Sequence, residues 1–264
     1  MSTLEKTAVV TGASSGIGAV YADRLAARGY DLVLVARRAD RLEALSSKLS
    51  KVHGVKVQVL VADLEKDADV AKVESVLAND SSVRVLINNA GLARLQALAQ
   101  TPVSDSLTQV SLNITALTRL THAALPSFLA RNEGAIINIA SVLAVHSTPL
   151  SSVYSGTKAY VLAFSRGLQS ELANTGVKVQ VVLPASTATE IWDLSGVPLS
   201  ALQQDTVMTT ENLVDAALAG FDKGEAITWP SVADETLWEK YDTARAALFG
   251  ATQTSKPAPR YQQA

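Results

Sequence analysis

Tyr154-Ser155-Gly156-Thr157-Lys158 sets a phenol and an ammonium four residues apart. On a helix that spacing puts both on one face. A phenol near pKa 10 is a poor acid or base at neutral pH, and an ammonium beside it favours the anion. Lowering it by roughly 2–3 units takes about 3–4 kcal/mol of differential interaction, within reach of a dry site. The tyrosine then serves as a general acid for a carbonyl oxygen or a base for an alcohol. Taken alone, the pair reads more simply as an amphipathic helix with a packed tyrosine and an exposed lysine. Ser155 to Lys158 also matches Ser-x-x-Lys, the nucleophile motif of β-lactamase-type enzymes, but the companion Ser-Asp-Asn and Lys-Thr-Gly motifs are absent.

The head of the chain gives the pair a context. Thr11-Gly12-Ala13-Ser14-Ser15-Gly16-Ile17-Gly18 follows the apolar run Ala8-Val9-Val10. Glycines at 12, 16 and 18 allow a tight turn and close backbone approach. The helix that follows aims its free N–H groups and positive dipole end at an anion. The spacing G-x-x-x-G-x-G is a variant of the dinucleotide fingerprint. Gly12 to Gly16 also fits G-x-S-x-G, a hydrolase nucleophile elbow, but that elbow normally follows several strands.

At the end of the second strand a dinucleotide site for NAD usually carries an acid. Here the strand ends Val35-Ala36-Arg37-Arg38. A guanidinium fork suits a phosphate, so Arg37 reads as a 2′-phosphate clamp and the cofactor as NADP(H). Arg38 reads equally as a second clamp or as a solvated helix start. Asp63, ending the third strand, is a candidate acceptor for the adenine amino group or the N-cap of the next helix.

These residues need a scaffold, and the pattern supplies one. Strands are expected at 7–11, 31–36, 56–62, 83–87, 135–140, 178–183 and 226–229. Helices are expected at 17–28, 39–51, 69–78, 104–131 (with a break near Pro126), 154–174 and 210–222. Strands alternating with helices imply an α/β fold, a parallel sheet covered on both faces. Ligands bind such sheets beyond the strand carboxyl ends, where strand order reverses. The chemistry should therefore sit just after strands, at Gly12, Arg37, Asp63, Asn89, Ser141 and Ala185.

With these signatures in place the chain resembles the short-chain dehydrogenase/reductase family over nearly its whole length. The resemblance rests on Thr11 to Gly18, Asn88-Asn89-Ala90-Gly91, Asn113 in Ser111-Leu112-Asn113, Ser141 at a strand end, and Tyr154 with Lys158. It implies a Rossmann-type doubly wound parallel sheet of about seven strands, in one domain over 1–264. It implies Tyr154 as general acid/base, and Ser141 holding the substrate oxygen. Lys158 would lower the tyrosine pKa and bind the nicotinamide ribose, and Asn113 would hold a water that links Lys158 to solvent. The cofactor wall would comprise Gly12, Ser14, Ser15, Gly16, Ile17, Gly18, Arg37, Arg38, Asp63, Leu64, Asn89, Ala90, Gly91, Tyr154, Lys158, Pro184, Thr187 and Thr189. Read singly, Ser141 is also a possible turn cap and Asn113 a buried helical amide. One departure stands out: the family usually has Pro-Gly after its sixth strand, and here it is Pro184-Ala185, with the later Thr189 kept. Alanine resists positive φ, so the nicotinamide-side loop is expected to follow a different path.

Composition bounds the alternatives. With 264 residues, 48% hydrophobic and 18% charged, the chain can bury a large core. A net charge of -2 without a basic stripe argues against nucleic acid. Zero cysteines exclude disulfides and thiolate chemistry. The scattered His53, His122 and His146 suggest no metal site. Neither a leader-type apolar segment at Met1 to Lys6 nor a bilayer-length run is present, so a cytoplasmic protein with no membrane partner is expected. Residues 185–210 read as a substrate lid, with Leu92–Leu95, Val142–Leu150 and Trp192 forming an apolar pocket. The tail, 251–264, reads as irregular. The family implies a homotetramer or homodimer built on the long helices and the last helix and strand. The activity expected is NADP(H)-dependent interconversion of a ketone or aldehyde and an alcohol. The alternatives are a 3-oxoacyl-type reductase, a cofactor-sensing binding protein on the same fold, and a serine hydrolase.

Overall fold

Ala8, Val9 and Val10 are all fully buried, so the first strand has no solvent face and belongs in the middle of a covered sheet. The computed structural model describes residues 6–261; the expectations for Met1 to Glu5 and for 262–264 fall outside them. Strands β1 (Thr7–Thr11), β2 (Asp31–Ala36), β3 (Val57–Val61), β4 (Val83–Asn88), β5 (Gly134–Ile139), β6 (Val177–Val182) and β7 (Ile227–Thr228) form one sheet in the order 3-2-1-4-5-6-7. Every pairing is parallel. This is the doubly wound Rossmann arrangement, and strand order reverses between β1 and β4.

Alternating side chains of the strands feed two cores. Ala8, Val10, Leu32 and Leu34 pack with α1 (Gly16–Ala27), α2 (Ala39–His53) and α8 (Thr210–Lys223). Val9, Val33 and Val35 pack on the other face with α3 (Asp67–Asn79), α5 (Leu117–Arg131) and α6 (Ser152–Glu171). Each fully buried valine or leucine contributes about 1.5–3 kcal/mol over an exposed one. The register pairs Thr11 with Val35 and Val10 with Ile87, so the carboxyl ends of β1, β2 and β4 finish level. Gly12, Arg37 and Asn89 therefore leave the sheet along one edge.

The long helical stretch differs from expectation. No break occurs at Pro126, which lies inside α5. The irregularity lies between α4 (Val103–Val110) and α5, where Ser111–Ala116 widens into a π-type turn. Asn113 sits in that turn, and its amide bonds both Leu92 backbone groups and Thr157. The extra residue in the turn re-aims the side chain, a common use of π-turns.

The chain divides into two compact units, one running to Pro230 and one starting at Ser231. The second holds α9 (Thr236–Ala251), absent from the sequence reading, and a 3-10 turn at Pro259–Tyr261. Within α9, Trp238 and Tyr241 stack with centroids 5.3 Å apart. No helix among the described residues is long and apolar enough to cross a membrane.

Candidate active site

Thr11 anchors the glycine turn. Its hydroxyl donates to the Ile87 carbonyl at 3.0 Å and accepts the Asn89 and Ala90 N–H groups, each at 3.0 Å. The Asn89 amide then donates to the carbonyls of Thr11 (2.9 Å) and Gly12 (3.3 Å). Gly12, at φ +67°, has no room for a side chain: a Cβ would lie 2.7 Å from Asn89 Nδ2. At Gly18 a Cβ would lie 2.4 Å from the Gly12 carbonyl oxygen. Ser15 precedes α1 with extended backbone and no side-chain hydrogen bond to the helix, so the first N–H groups of the helix have no side-chain acceptor, the arrangement an anion requires.

A cavity of about 440 Å3 opens over this turn. Of the expected cofactor residues, Gly12, Ser14, Ser15, Gly16, Ile17, Arg37, Arg38, Asp63, Leu64, Asn89, Ala90, Gly91, Tyr154, Lys158, Pro184, Thr187 and Thr189 line it. Gly18 does not; it lets α1 pack against the turn instead. A polar cradle closed to any Cβ, uncapped helical N–H groups and adjacent guanidinium groups together fit a dinucleotide bearing phosphates.

The two arginines differ. Arg37 is 60% exposed, with one 3.3 Å contact to Glu65. Arg38 reaches back to the loop, its Nη2 donating to Ser14 Oγ (2.9 Å) and Ser15 Oγ (2.7 Å), and its Nη1 to Glu190 Oε2 (2.7 Å). Arg38 is thus no mere solvated helix start. Nor does Asp63 cap a helix: α3 starts at Asp67 after Lys66, and the Asp63 carboxylate accepts the Glu65 N–H at 3.2 Å in a local turn.

At the inner end of the cavity three elements converge. Ser141 follows β5, and its Oγ accepts the Leu143 N–H at 3.1 Å, so it does cap a turn. Its hydroxyl also hydrogen-bonds the Tyr154 phenol and draws the phenol's pKa down. Tyr154 and Lys158 share the inner face of α6. Lys158 Nζ donates to the Ile139 carbonyl at 2.8 Å and lies 5.7 Å from the centroid of the Tyr154 ring. The expected ammonium-lowered phenol is not what this geometry gives. Burial pushes Tyr154 up to about 12, against a smaller opposing pull from Ser141, and burial takes Lys158 down to about 8. The ammonium faces the ring and a carbonyl rather than the phenolic oxygen, so desolvation dominates both groups.

Asn113 is buried and does not line the cavity. Its Nδ2 donates to the Leu92 carbonyl (2.9 Å) and Thr157 Oγ1 (3.0 Å), and its Oδ1 accepts the Leu92 N–H (3.0 Å). Thr157 in turn donates to the Tyr154 carbonyl at 2.8 Å.

Leu92, Ala93, Leu95, Val142, Leu143, Ile191, Trp192 and Leu194 supply apolar walls, whereas residues 144–150, expected there, do not reach the cavity. The lid segment carries α7 (Ile191–Ser195). Trp192 Nε1 donates to the Thr187 carbonyl at 2.8 Å, the Leu95 N–H to the Ser195 carbonyl at 2.6 Å, and the Arg94 guanidinium to the Leu194 carbonyl. Ala185 is not at positive φ, so the loop needs no glycine there. Glu190, at the start of α7, was missed by the sequence reading; no motif marks it.

The family profile described as short chain dehydrogenase matches residues 6–196. A short-chain dehydrogenase from Sphingobium yanoikuyae, solved in complex with NADPH, is 45% identical, with a TM-score of 0.94 over 97% of this chain and 100% of that one. The bulky-bulky ketone specific alcohol dehydrogenase from Comamonas testosteroni is 40% identical, with a TM-score of 0.90 over 99% of this chain and 100% of its own. The very-long-chain 3-oxoacyl-CoA reductase-B of Danio rerio is 35% identical over 83% of this chain. The match spans 69% of that relative's length, and 62% and 60% of the next two curated relatives.

Proposed function

The chain belongs to the short-chain dehydrogenase family, and from that premise we propose that it reduces bulky, apolar ketones with Tyr154 as the general acid. It is an NADP(H)-dependent oxidoreductase that interconverts a carbonyl and an alcohol. The observation that carries the proposal is the meeting of Ser141, Tyr154 and Lys158 at the buried end of a cavity whose other end is the glycine turn.

Gly12, Ser14 to Ile17, Arg37, Arg38 and Asn89 to Gly91 would hold NADPH, which would supply the hydride when bound. The rest falls to the chain. Burial keeps the Tyr154 phenol protonated at neutral pH, the form that gives a proton to a carbonyl oxygen. The Ser141 hydroxyl, oriented by the Leu143 N–H, can turn its proton from the phenol to the same oxygen. Lys158, charged below about pH 8, is held on the Ile139 carbonyl at the inner end of the cavity, where it would bind the nicotinamide ribose. Asn113 holds Thr157, and through it the Tyr154 carbonyl, and so positions the first turn of α6. A Cβ at Gly91 would lie 3.0 Å from Asn113 Oδ1 and 3.6 Å from Lys158 Nζ. Glycine there keeps a side chain off both groups, as a water returning a proton to Lys158 would require.

Leucines, Ile191 and Trp192 around the opening, roofed by the lid, suit an apolar substrate. The Comamonas neighbour, whose name specifies bulky ketones, supports that choice; the Danio relative keeps a 3-oxoacyl thioester as the second candidate. Val103, Leu107 and Val110 make an exposed apolar stripe on α4, in keeping with a homodimer or homotetramer. A cytoplasmic location accords with a chain free of cysteine.

Tyr154→Phe tests the assignment. It should remove turnover on a panel of ketones while leaving NADPH affinity within about twofold, because ordinary surface and packing changes of this size cost little. Undiminished turnover would remove the tyrosine from the reaction. NADPH binding with no turnover of any ketone by the wild type would point to a cofactor-sensing protein.

A further inference from the structure

Glu190 links two parts of the molecule that the proposed reaction uses separately. Its Oε2 accepts from Arg38 Nη1 at 2.7 Å and its Oε1 from Arg41 Nη1 at 2.5 Å. These two guanidinium groups, Arg41 foremost, hold its carboxyl down at about 2, so it is ionised at any working pH. The same Arg38 bonds Ser14 and Ser15 of the glycine turn through Nη2, and Ser14 again through Nε at 3.2 Å. All three guanidinium nitrogens of Arg38 are therefore engaged by protein oxygens. Arg37, by contrast, is largely free, at 60% exposure. A phosphate that draws on Arg38 has to displace a partner, and the partner it repels is the carboxylate.

That carboxylate stands at the entrance to α7. The far end of α7 is fastened by the Leu95 N–H to Ser195 and by Arg94 to Leu194. The Glu190 ion pairs fasten the near end. The lid is thus tied at one end to the loop after β4 and at the other to the arginines beside the 2′-phosphate position.

We propose that Glu190 is a cofactor-sensing tether: its carboxylate and the 2′-phosphate compete for Arg38, so that a dinucleotide with that phosphate loosens the near end of α7, leaving it on Arg41 alone, and one without it leaves the lid latched at both arginines. The proposal rests on the NADP(H) reading above. Competition for one group is reciprocal: what loosens the tether tightens phosphate binding, by the same factor.

Calorimetric titration of wild type and Glu190→Gln with NADPH, NADH, adenosine 2′,5′-bisphosphate and ADP tests it. The variant should bind NADPH and the bisphosphate about threefold to tenfold more tightly, the range expected of one or two exposed ion pairs. NADH and ADP should change by less than about twofold, since neither meets Arg38 through a 2′-phosphate. Chymotrypsin gives a readout of the lid itself. In the wild type NADPH, and not NADH, should speed cleavage after Trp192 and Leu194; in the variant cleavage should be fast with either. Unchanged or weaker NADPH affinity in Glu190→Gln overturns the tether, as does equal tightening of NADH. Failure of the wild type to bind any of the four ligands overturns the cofactor reading instead.

Discussion

Lys158→Met isolates the charge buried beside Tyr154. The substitution keeps the length and apolar stem of the side chain and removes only the amine. Burial lowers that amine from 10.5 to about 8, which corresponds to about 3 kcal/mol in favour of its neutral form. Below pH 8 the amine is charged in both the folded and unfolded protein, and the folded state carries the full desolvation cost. Between pH 8 and 10.5 the unfolded chain holds a proton that the folded one has released, so stability rises with pH. Above 10.5 neither state is charged and the cost is gone. Urea unfolding of both proteins from about pH 7 to about pH 10.5, followed by far-UV circular dichroism, measures the difference. Wild type should gain about 3 kcal/mol relative to Lys158→Met across that interval. Tyr154 works the opposite way above pH 10, where its folded pKa is raised to about 12, but it is present in both proteins and cancels. Losing the donor to the Ile139 carbonyl adds an offset of about 1–3 kcal/mol that does not vary with pH. Parallel stability curves would refute the reasoning, because they would mean that the amine is solvated or paired in the folded state.

Substitutions at three further positions probe the site. Thr11→Val strands the Asn89 and Ala90 N–H groups and should lower stability by about 2–4 kcal/mol in urea, while Thr11→Ser should retain most of it. Gly18→Ala places a methyl 2.4 Å from the Gly12 carbonyl oxygen; NADPH affinity should fall at least tenfold by titration, and unchanged affinity would show that the turn tolerates displacement. Gly91→Ala puts a methyl 3.0 Å from Asn113 Oδ1 and 3.6 Å from Lys158 Nζ. It should slow kcat severalfold and give a larger solvent isotope effect, with NADPH affinity nearly kept; an unaltered isotope effect would mean that no water relays the proton there.

Much of the scaffold could be read from the chain because its signals are local. β1 and β2 fall on the expected residues, Thr7–Thr11 and Asp31–Ala36, since each is a short apolar run ended by the glycine turn or by arginines. Gly29 and Gly54 sit at positive φ just after α1 and α2, where a glycine after a periodic run marks a stop. α9 escaped because Arg245 falls among Leu237, Trp238, Tyr241, Leu248 and Phe249 on their side of the helix, and none of its residues is buried; its one local signal is Asp234, whose carboxylate accepts the Thr236 N–H at 3.0 Å.

The site divides along the same line. Spacing on α6 was enough to put Tyr154 and Lys158 on one face, but the direction of the amine was not contained in that spacing. It depends on the Ile139 carbonyl, which β5 delivers from another part of the chain. The Asn113 turn likewise follows from what its amide meets, Leu92 and Thr157, and not from any break in the periodicity of Ser104 to Arg131. Glu190 is the extreme case, 152 residues from Arg38 and 149 from Arg41, in a segment whose apolar residues suggested only a lid. An ion pair between distant residues leaves no period and no motif. Its trace in the sequence is charge complementarity alone, which many other pairs in a chain with 23 basic and 25 acidic residues could equally satisfy. Long-range electrostatics therefore became readable only after the sheet had brought the ends of its strands together.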